Sequence, residues 1–338
     1  MKRVLPATLL SAAVLLALPV LADAAPRPKP IRAADTRTVD IRLDGRDTAD
    51  ARALAAPVRI STPDAAFIKV HFERFNLPRG VTLEVSNPAG TEVYRYSKSH
   101  RDGFTVDRGL RQNGSTSFSA MSITGNTAVL RLVGTAREPW TAAHGVKISQ
   151  YQEGIPEALM PQLAQDGLLA PGAHPMSLCG TDDKKPAVCY AGSDAAAYER
   201  SRPVARMVTP AGYCTAWRAG PTNRMFTNNH CAAVASDISG SEFWFNYQVT
   251  TCTGSTQATV VKVAGDQLLK TDANLDYTLF TVKNFDTIAS FGYYGLDPRA
   301  PQLNEEIFIA GHPGGRMKEL AIVSDQDGGG RCRWSGCR

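Results

Sequence analysis

The sequence predicts an all-β protein built from two regions, and two observations lead to this prediction. Short segments such as residues 38–43 and 68–73 alternate polar and apolar residues with a period of two, which is typical of half-buried strands. All seven cysteines lie after residue 178, so the two regions differ in how they are stabilised. A length of 338 residues with 43% hydrophobic content suits about two globular domains.

Residues 25–155 are predicted to form a β-sandwich. Turns rich in Pro, Gly and Asn separate short strands at regular spacing. The predicted strands are residues 38–43, 68–73, 81–85, 92–96, 104–106, 117–121, 128–133 and 146–148. His71, His100 and His144 lie outside any motif with a mechanism, so we expect them at strand-surface or turn positions. No chemistry is assigned to this region.

Residues 1–24 have the charge and hydropathy pattern of a secretory signal peptide. Lys2 and Arg3 precede an apolar stretch at residues 9–21, and small residues flank Asp23 at the expected cleavage site. The stretch is too short for a membrane span, so we expect a secreted or periplasmic protein with no membrane association after signal cleavage. Residues 156–178 are predicted to be a linker with a short helix at 156–164, where proteolytic nicking is tolerated.

Residues 179–338 again consist mainly of short predicted strands, which favours a β-barrel. These strands are residues 203–208, 213–217, 242–247, 258–263, 276–282, 306–310 and 319–324. The formal charge of +5 comes without a long basic block, so we expect no nucleic-acid partner. No CxxC pair or HxxxH spacing occurs, so we expect no metal, and no organic cofactor is implied.

His230 and Asp276 are the candidate catalytic residues. His230 follows a predicted hairpin that would bring Cys214 near Cys231, and a disulfide there would fix the backbone beside the histidine. Asp276 opens a strand, and a carboxylate among apolar neighbours needs a partner such as His230. Those neighbours are Leu275, Leu279 and Phe280. A base and an orienting carboxylate serve an acyl-transfer hydrolase; the alternative is a capping aspartate and a solvated histidine.

Three motifs resemble the bacterial lysyl endopeptidase branch of the trypsin-like serine proteases. They are Thr-Asn-Asn-His-Cys at 227–231, Asp-Tyr-Thr-Leu-Phe at 276–280 and Gly-His-Pro-Gly-Gly at 311–315. The resemblance covers residues 179–325, and residues 35–155 look like the N-terminal pro-region of that group. It implies a trypsin-like double β-barrel in which His230 is the general base and Asp276 the triad carboxylate.

The same resemblance implies a set of disulfides. It pairs Cys214 with Cys231 and Cys189 with Cys252, and it pairs Cys179 with a cysteine near the active serine. Within the resemblance His312 is a structural loop residue, and its place before a proline and among glycines suits that role better than the role of a base.

The nucleophile that the resemblance requires is not found. It should follow Asp276 in a Gly-Asp-Ser-Gly or Gly-Ser-Ser-Gly turn, and the sequence contains neither. The serines after Asp276 are Ser290, Ser324 and Ser335, of which only Ser335 precedes a glycine, three residues from the last residue. The residues after Gly330 are rich in Arg and Cys, so we expect an incomplete second barrel, truncated by a frameshift or a premature stop.

The sequence therefore indicates a secreted serine endopeptidase precursor, a zymogen that hydrolyses peptide bonds through a Ser-His-Asp triad whose serine is absent from this chain. Its expected partner is a protein or peptide substrate, and a monomer is expected. The alternative is a catalytically inactive pseudoprotease or secreted binding protein on the same scaffold, which the missing nucleophile favours.

Overall fold

A computed structural model describes residues 32–44, 54–163, 181–325 and 328–334 of the chain. The predicted signal peptide, residues 164–178 of the predicted linker, Cys179, Ser335 and Cys337 lie outside the described residues. Within the described ranges no helix is both long enough and apolar enough to cross a membrane.

The described part of the first region consists of strands, which are arranged in two sheets. In chain order they are β1 (Ala34–Leu43), β2 (Val58–Ser61), β3 (Phe67–Asn76), β4 (Val81–Ser86), β5 (Val93–Ser97), β6 (Phe104–Thr105), β7 (Phe118–Ala120), β8 (Ile123–Thr124), β9 (Thr127–Gly134) and β10 (Gly145–Gly154). One sheet has the order β1-β10-β3-β7-β6, with β8 paired to β3, and the other has the order β2-β9-β4-β5.

The two sheets share one hydrophobic core. Phe72 on β3 contacts Phe118 on β7 with ring centroids 5.0 Å apart, and both rings pack on Tyr96 of the other sheet at 5.7 Å. All three side chains are fully buried. The period-two alternation of the sequence therefore places its apolar positions between the sheets.

The second region contains a closed barrel. Its strands are β12 (Val204–Val208), β13 (Tyr213–Arg218), β14 (Met225–Thr227), β15 (Glu242–Phe245), β16 (Val261–Asp272) and β17 (Tyr277–Val282). They follow the order β12-β13-β14-β17-β16-β15, and every neighbouring pair is antiparallel. Phe243 and Phe280 stack in the interior with centroids 4.7 Å apart. The all-β prediction is confirmed.

Shorter elements surround the barrel. A three-stranded sheet has the order β11 (Lys185–Pro186), β19 (Glu319–Ala321), β18 (Ile309–Gly311), and β20 (Val323–Ser324) pairs with β21 (Gly330–Arg331). Two short α-helices are α1 (Ala195–Arg200) and α2 (Ala235–Ser239), and 3₁₀ turns cover Glu157–Leu159, Ala187–Tyr190, Phe285–Phe291 and Pro313–Gly315. Residues 160–163 are also α-helical and continue the first of these turns. The helix predicted from residue 156 begins as the first of these turns, and the bounds of the predicted domains stay a prediction.

Two predicted strands begin later than expected, because their first residues bond elsewhere. The strand predicted from Ala258 starts at Val261, since the Ala258 N–H donates to the Gln248 carbonyl at 2.8 Å. The strand predicted from Glu306 starts at Ile309, since the Ile307 N–H donates to the carbonyl of Cys332 at 3.0 Å. In both places the backbone N–H is satisfied by a carbonyl of another loop and not by a neighbouring strand.

The position predicted for His71 is wrong. His71 lies on β3 but is only 3% exposed, because β3 packs against the barrel. Its Nδ1 is 2.6 Å from Ser119 Oγ, and the neighbouring Lys69 forms an ion pair with Glu242 of β15. His100 is exposed and bonds Asp102, as expected of a turn residue. Sheet alternation could not foresee a second region covering the outer face of β3.

Buried charges make this contact sensitive to acid. Burial, with a smaller effect of Lys69, lowers the pKa of His71 to about 3. Burial alone would raise the pKa of Glu242, but Lys69 and Lys262 and the hydrogen bonds from Lys69 and Ser122 lower it to about 2. Below about pH 6.5 His71 is protonated in the unfolded chain but stays neutral in the folded chain. Below about pH 4.5 Glu242 is likewise protonated in the unfolded chain but stays ionised in the folded chain.

We therefore expect the free energy of unfolding to fall continuously as the pH is lowered from 6.5 towards 3. Between pH 7 and pH 4.5 the unfolding free energy of the wild type should fall further than that of the His71→Gln variant. The difference between the two decreases should exceed about 1 kcal/mol, since one pKa unit corresponds to about 1.4 kcal/mol. Urea unfolding at several pH values measures this. His100→Gln, at an exposed position, is the control. Equal pH slopes for wild type and His71→Gln would contradict the assignment.

Candidate active site

His230 lies in a turn that directly follows β14. The β13–β14 hairpin pairs Trp217 with Phe226, and the chain then turns so that the Cys231 N–H donates to the Asn228 carbonyl at 3.1 Å. The bridge from Cys214 on β13 to Cys231 is present, with Cα atoms 6.2 Å apart. The turn that carries His230 is therefore tied to the neighbouring strand, as the sequence predicted.

Asp276 is brought to His230 by the pairing of β14 with β17. Thr227 is opposite Thr278 in this antiparallel pair, so the residue before β17 lies beside the turn after β14. Asp276 adopts a left-handed backbone conformation with φ of 49° at the end of the β16–β17 hairpin. Aspartate tolerates this conformation better than most residues, which explains the sharp turn at this position.

Three donors converge on the Asp276 carboxylate. His230 Nδ1 lies 2.8 Å from Oδ2, the His230 backbone N–H donates to Oδ1 at 3.0 Å, and Asn228 Nδ2 donates to Oδ2 at 3.1 Å. Partial burial would raise the pKa of Asp276, but the hydrogen bonds and the charge of His230 and the bond from Asn228 lower it below its ordinary value.

The carboxylate also selects the tautomer of the histidine. An ionised carboxylate can only accept, so in the neutral imidazole the proton lies on Nδ1 and the Nε2 atom is an acceptor. The His230 side chain is 23% exposed. The arrangement can therefore remove a proton from a hydroxyl presented to Nε2 and stabilise the imidazolium that results.

The predicted apolar surroundings of Asp276 are wrong. Leu275 is 74% exposed, and the Asp276 side chain itself is 37% exposed. Phe280 is fully buried in the barrel interior. Directional hydrogen bonds at a partly solvated hairpin end therefore hold Asp276 against His230. The cost of burying an unpaired carboxylate among apolar side chains is not what keeps the two residues together.

A chain of threonine hydroxyls supports the histidine turn, and the sequence reasoning missed it. Asn229 Nδ2 donates to Thr271 Oγ1 at 2.7 Å, Thr271 Oγ1 lies 2.6 Å from Thr278 Oγ1, and Thr278 donates to the Ala232 carbonyl at 2.6 Å. Thr271 and Thr278 are opposite each other on β16 and β17. Two threonines at equal distances from a hairpin turn were the signal that could have found this pair.

His312 has other partners. It is 4% exposed, its backbone N–H donates to Thr215 Oγ1 at 3.0 Å, and its Nδ1 donates to the Arg316 carbonyl at 3.0 Å. Burial, followed by the charge of Lys318, lowers the pKa of this imidazole well below its ordinary value. These contacts hold the loop at 311–315 against the barrel and agree with the structural role that the sequence predicted.

Candidate nucleophiles do not join the pair in the described part of the chain. There the side-chain hydrogen bond of His230 is to Asp276. Ser290 lies exposed in the 3₁₀ turn Phe285–Phe291, and Ser324 ends β20. Potential ligand atoms of Cys214, His230 and Cys231 lie within 4.8 Å of one another, but the two sulfur atoms form a disulfide and so cannot act as thiolate ligands.

Comparison with known proteins agrees with this geometry. Residues 184–333 match the family model described as "Lysyl endopeptidase, C-terminal domain", which supports a relationship of the second region to the lysyl endopeptidases. The match includes both His230 and Asp276.

A curated relative extends over both regions. "Secreted RxLR effector protein 73" from Plasmopara viticola is 27% identical over 279 residues, which are 77% of this chain and 63% of the relative. The chain thus spans less than two thirds of the length of that relative. No solved structure matches the chain significantly.

Two of the three disulfides that the resemblance implied are present, and Cys179 of the third lies outside the described residues. Besides Cys214–Cys231, Cys189 is bonded to Cys252 across a sequence separation of 63 residues. The family match, the two bridges and the closed barrel together support a relationship of the second region to the lysyl endopeptidases.

Removal of the first bridge should loosen the histidine turn selectively. We expect the Cys214→Ala/Cys231→Ala variant to lose about 3 kcal/mol of unfolding free energy, because the bridge closes a loop of 17 residues. Its His230 ring resonances should broaden in NMR spectra. The matched control, Cys189→Ala/Cys252→Ala, should also be destabilised but should leave those resonances sharp; broadening in both variants would contradict a local role.

The Asp276→Asn variant should be less stable than the wild type at neutral pH by about 1 kcal/mol, a value reduced for the partial exposure of the carboxylate. The lowered pKa of Asp276 means that its contribution is complete above about pH 4 and is lost as the pH falls through the folded-state pKa. Urea unfolding at pH 7 and pH 3 should therefore show a deficit that shrinks in acid. Asp286→Asn, at an exposed position, is the control, and a pH-independent deficit would count against the ion pair.

Proposed function

We propose that this chain is a secreted serine endopeptidase precursor and that His230 and Asp276 are the base and the orienting carboxylate of its triad. The observation that carries the proposal is the 2.8 Å contact between His230 Nδ1 and Asp276 Oδ2, which leaves Nε2 as the proton acceptor. The family match over residues 184–333 supports the same reaction class. The first region is the pro-region in this proposal.

The reaction follows from the protonation states of the pair. A serine hydroxyl placed at Nε2 transfers its proton to His230 as its oxygen attacks the carbonyl carbon of a peptide bond. Asp276 stays ionised, holds the Nδ1 proton in place and stabilises the imidazolium. His230 then returns the proton to the leaving amine, and a water molecule repeats the sequence on the acyl-enzyme. A lysine side chain before the cleaved bond is the preference that the family match suggests.

The proposal identifies neither the serine of the triad nor its oxyanion-stabilising amides in this sequence. No Gly-Asp-Ser-Gly or Gly-Ser-Ser-Gly sequence follows Asp276, so we assign the role of nucleophile to no serine of this sequence. A fluorophosphonate probe, which labels only activated serines, should leave this chain unlabelled, and lysyl-amide substrates should not be hydrolysed. Labelling of a serine within the 338 residues would contradict this assignment.

The decisive experiment is to resequence the coding DNA from the codon of Gly328 and translate all three frames. A frame that encodes a Gly-x-Ser-Gly turn and a further cysteine supports the proposal. In that longer protein His230→Ala and Asp276→Asn should each lower kcat/KM by about 10⁴-fold or more, whereas the matched histidine control His100→Ala should not. The absence of such a frame, or an active His230→Ala variant, would overturn the proposal and favour a binding protein.

A further inference from the structure

The contact between the two regions contains a fully buried carboxylate with four hydrogen-bonding partners. Glu242, on β15 of the barrel, forms an ion pair with Lys69 of β3. It also accepts hydrogen bonds from the Ser122 N–H at 3.0 Å, the Ser122 hydroxyl at 2.6 Å and Trp244 Nε1 at 2.9 Å. Three of these four donor groups, the Lys69 ammonium and the two groups of Ser122, belong to the first region, so the carboxylate is satisfied only when the regions are together.

A buried lysine of the barrel donates hydrogen bonds to acceptors of the first region. Lys262, on β16, donates to Glu92 Oε1 at 2.7 Å, to the Ser122 carbonyl at 2.8 Å and to Thr124 Oγ1 at 2.9 Å, all in the first region. Its ammonium group also lies 4.2 Å from the centre of the Trp244 ring. Each region therefore supplies both an acid and a base to one closed network.

A second carboxylate, at the start of the predicted linker directly after the first region, also binds the second region. Glu157 accepts from the Tyr247 hydroxyl at 2.8 Å and from the Met317 N–H at 2.8 Å. Its Oε2 also lies 3.8 Å from Nη1 of Arg206, a fully buried guanidinium stacked on the Tyr247 ring at 3.5 Å. This anchor is separate in sequence from Lys69 and Ser122, so the barrel is contacted at more than one place along the chain.

Apolar and backbone contacts lie between the anchors. The Phe67 ring packs edge-on against Trp244 with centroids 5.4 Å apart, and Met160 is buried in the same cluster. The Val106 N–H donates to the Ser239 carbonyl at 2.8 Å, and the Tyr213 hydroxyl donates to the Ala33 carbonyl at 3.1 Å. Separation of the regions would return this apolar surface to water, which is the main favourable free energy of such an interface.

We propose that residues 32–163 are a specific binding partner of the barrel and stay bound to it after the chain is cut between the regions. The apolar cluster provides the affinity, and the reciprocal acid–base network fixes the register and excludes other surfaces. The partner that fits this barrel surface is a β-sheet face presenting an ammonium group, a hydroxyl and a carboxylate at the positions of Lys69, Ser122 and Glu92.

This bound state is compatible with an accessible His230. Among the described residues, the groups of the second region that bond the first region and the linker belong to β12, β13, β15 and β16 and to the segments near Ser239, Tyr247, Asn284 and Met317. None of these hydrogen bonds involves His230 or Asp276. The proposal concerns association alone and is independent of whether the chain hydrolyses peptides.

The test uses the full chain with the recognition sequence of a site-specific protease inserted between Asp166 and Gly167. After cleavage, verified on a denaturing gel, the two pieces should co-elute from a gel-filtration column at about 1 µM, as expected for a dissociation constant below this concentration. Elution of two separate pieces would overturn the proposal. The uncut protein defines the elution volume of the intact assembly.

A variant of the network distinguishes this surface from a non-specific association. Lys69→Met should raise the dissociation constant of the cut protein by at least about 30-fold, because it leaves Glu242 buried without its charge partner. Lys147→Met, which removes a partly exposed lysine paired with Glu73 in the same sheet, should leave the dissociation constant within about twofold. Equal affinities for the two variants would overturn the role of the network.

A second anchor keeps the test decisive if Lys69→Met fails to fold. Unfolding of the uncut variants by urea reports on folding before any cut is made. Glu157→Gln, which keeps the shape of the side chain and removes only its charge, should raise the dissociation constant by about tenfold, because hydrogen bonds to a charged group are the stronger ones. A cut Glu157→Gln protein that binds as tightly as the wild type would contradict the second anchor.

Discussion

The antiparallel pairing of β14 with β17 is the constraint on which the candidate site depends. It sets Thr227 opposite Thr278, so the turn after one strand and the turn before the other meet at one end of the barrel. A shift of one residue would turn every side chain of β17 to the other face and remove Asp276 from His230. Because the barrel is closed, each strand has two partners, and such a shift would disrupt the whole ring.

The protein uses ionised groups in two different environments. At the hairpin ends His230 and Asp276 are partly solvated, so their geometry depends on hydrogen bonds and on the disulfide at Cys231. At the contact between the regions Glu242 is fully buried, and its charge is tolerated because Lys69, Ser122 and Trp244 satisfy it. The first environment suits proton transfer with an arriving group, and the second suits a fixed association.

Within the candidate site, sequence reasoning reached the identities but not the surroundings. His230, Asp276 and the Cys214–Cys231 bridge were identified from motifs and hairpin spacing, and the structure brings them together. The apolar shell around Asp276 was wrong, because Leu275 lies at the tip of a hairpin and faces solvent. The threonine chain from Thr271 to Ala232 was missed, because it depends on the register of β16 with β17.

Local patterns in the chain were enough to predict the all-β class and most strands, because period-two alternation and turn residues act over a few residues. For His230 and Asp276 the residues alone left two alternatives open, and the resemblance of their motifs favoured the pairing. Burial of His71 and the ion pair of Lys69 with Glu242 emerged only when the two regions packed together, since Lys69 and Glu242 are 173 residues apart. The late starts of β16 and β18 have the same origin, because distant backbone groups compete for the amides of these segments. A sequence pattern reports on which face is apolar, whereas the partner that covers the face is a property of the folded chain.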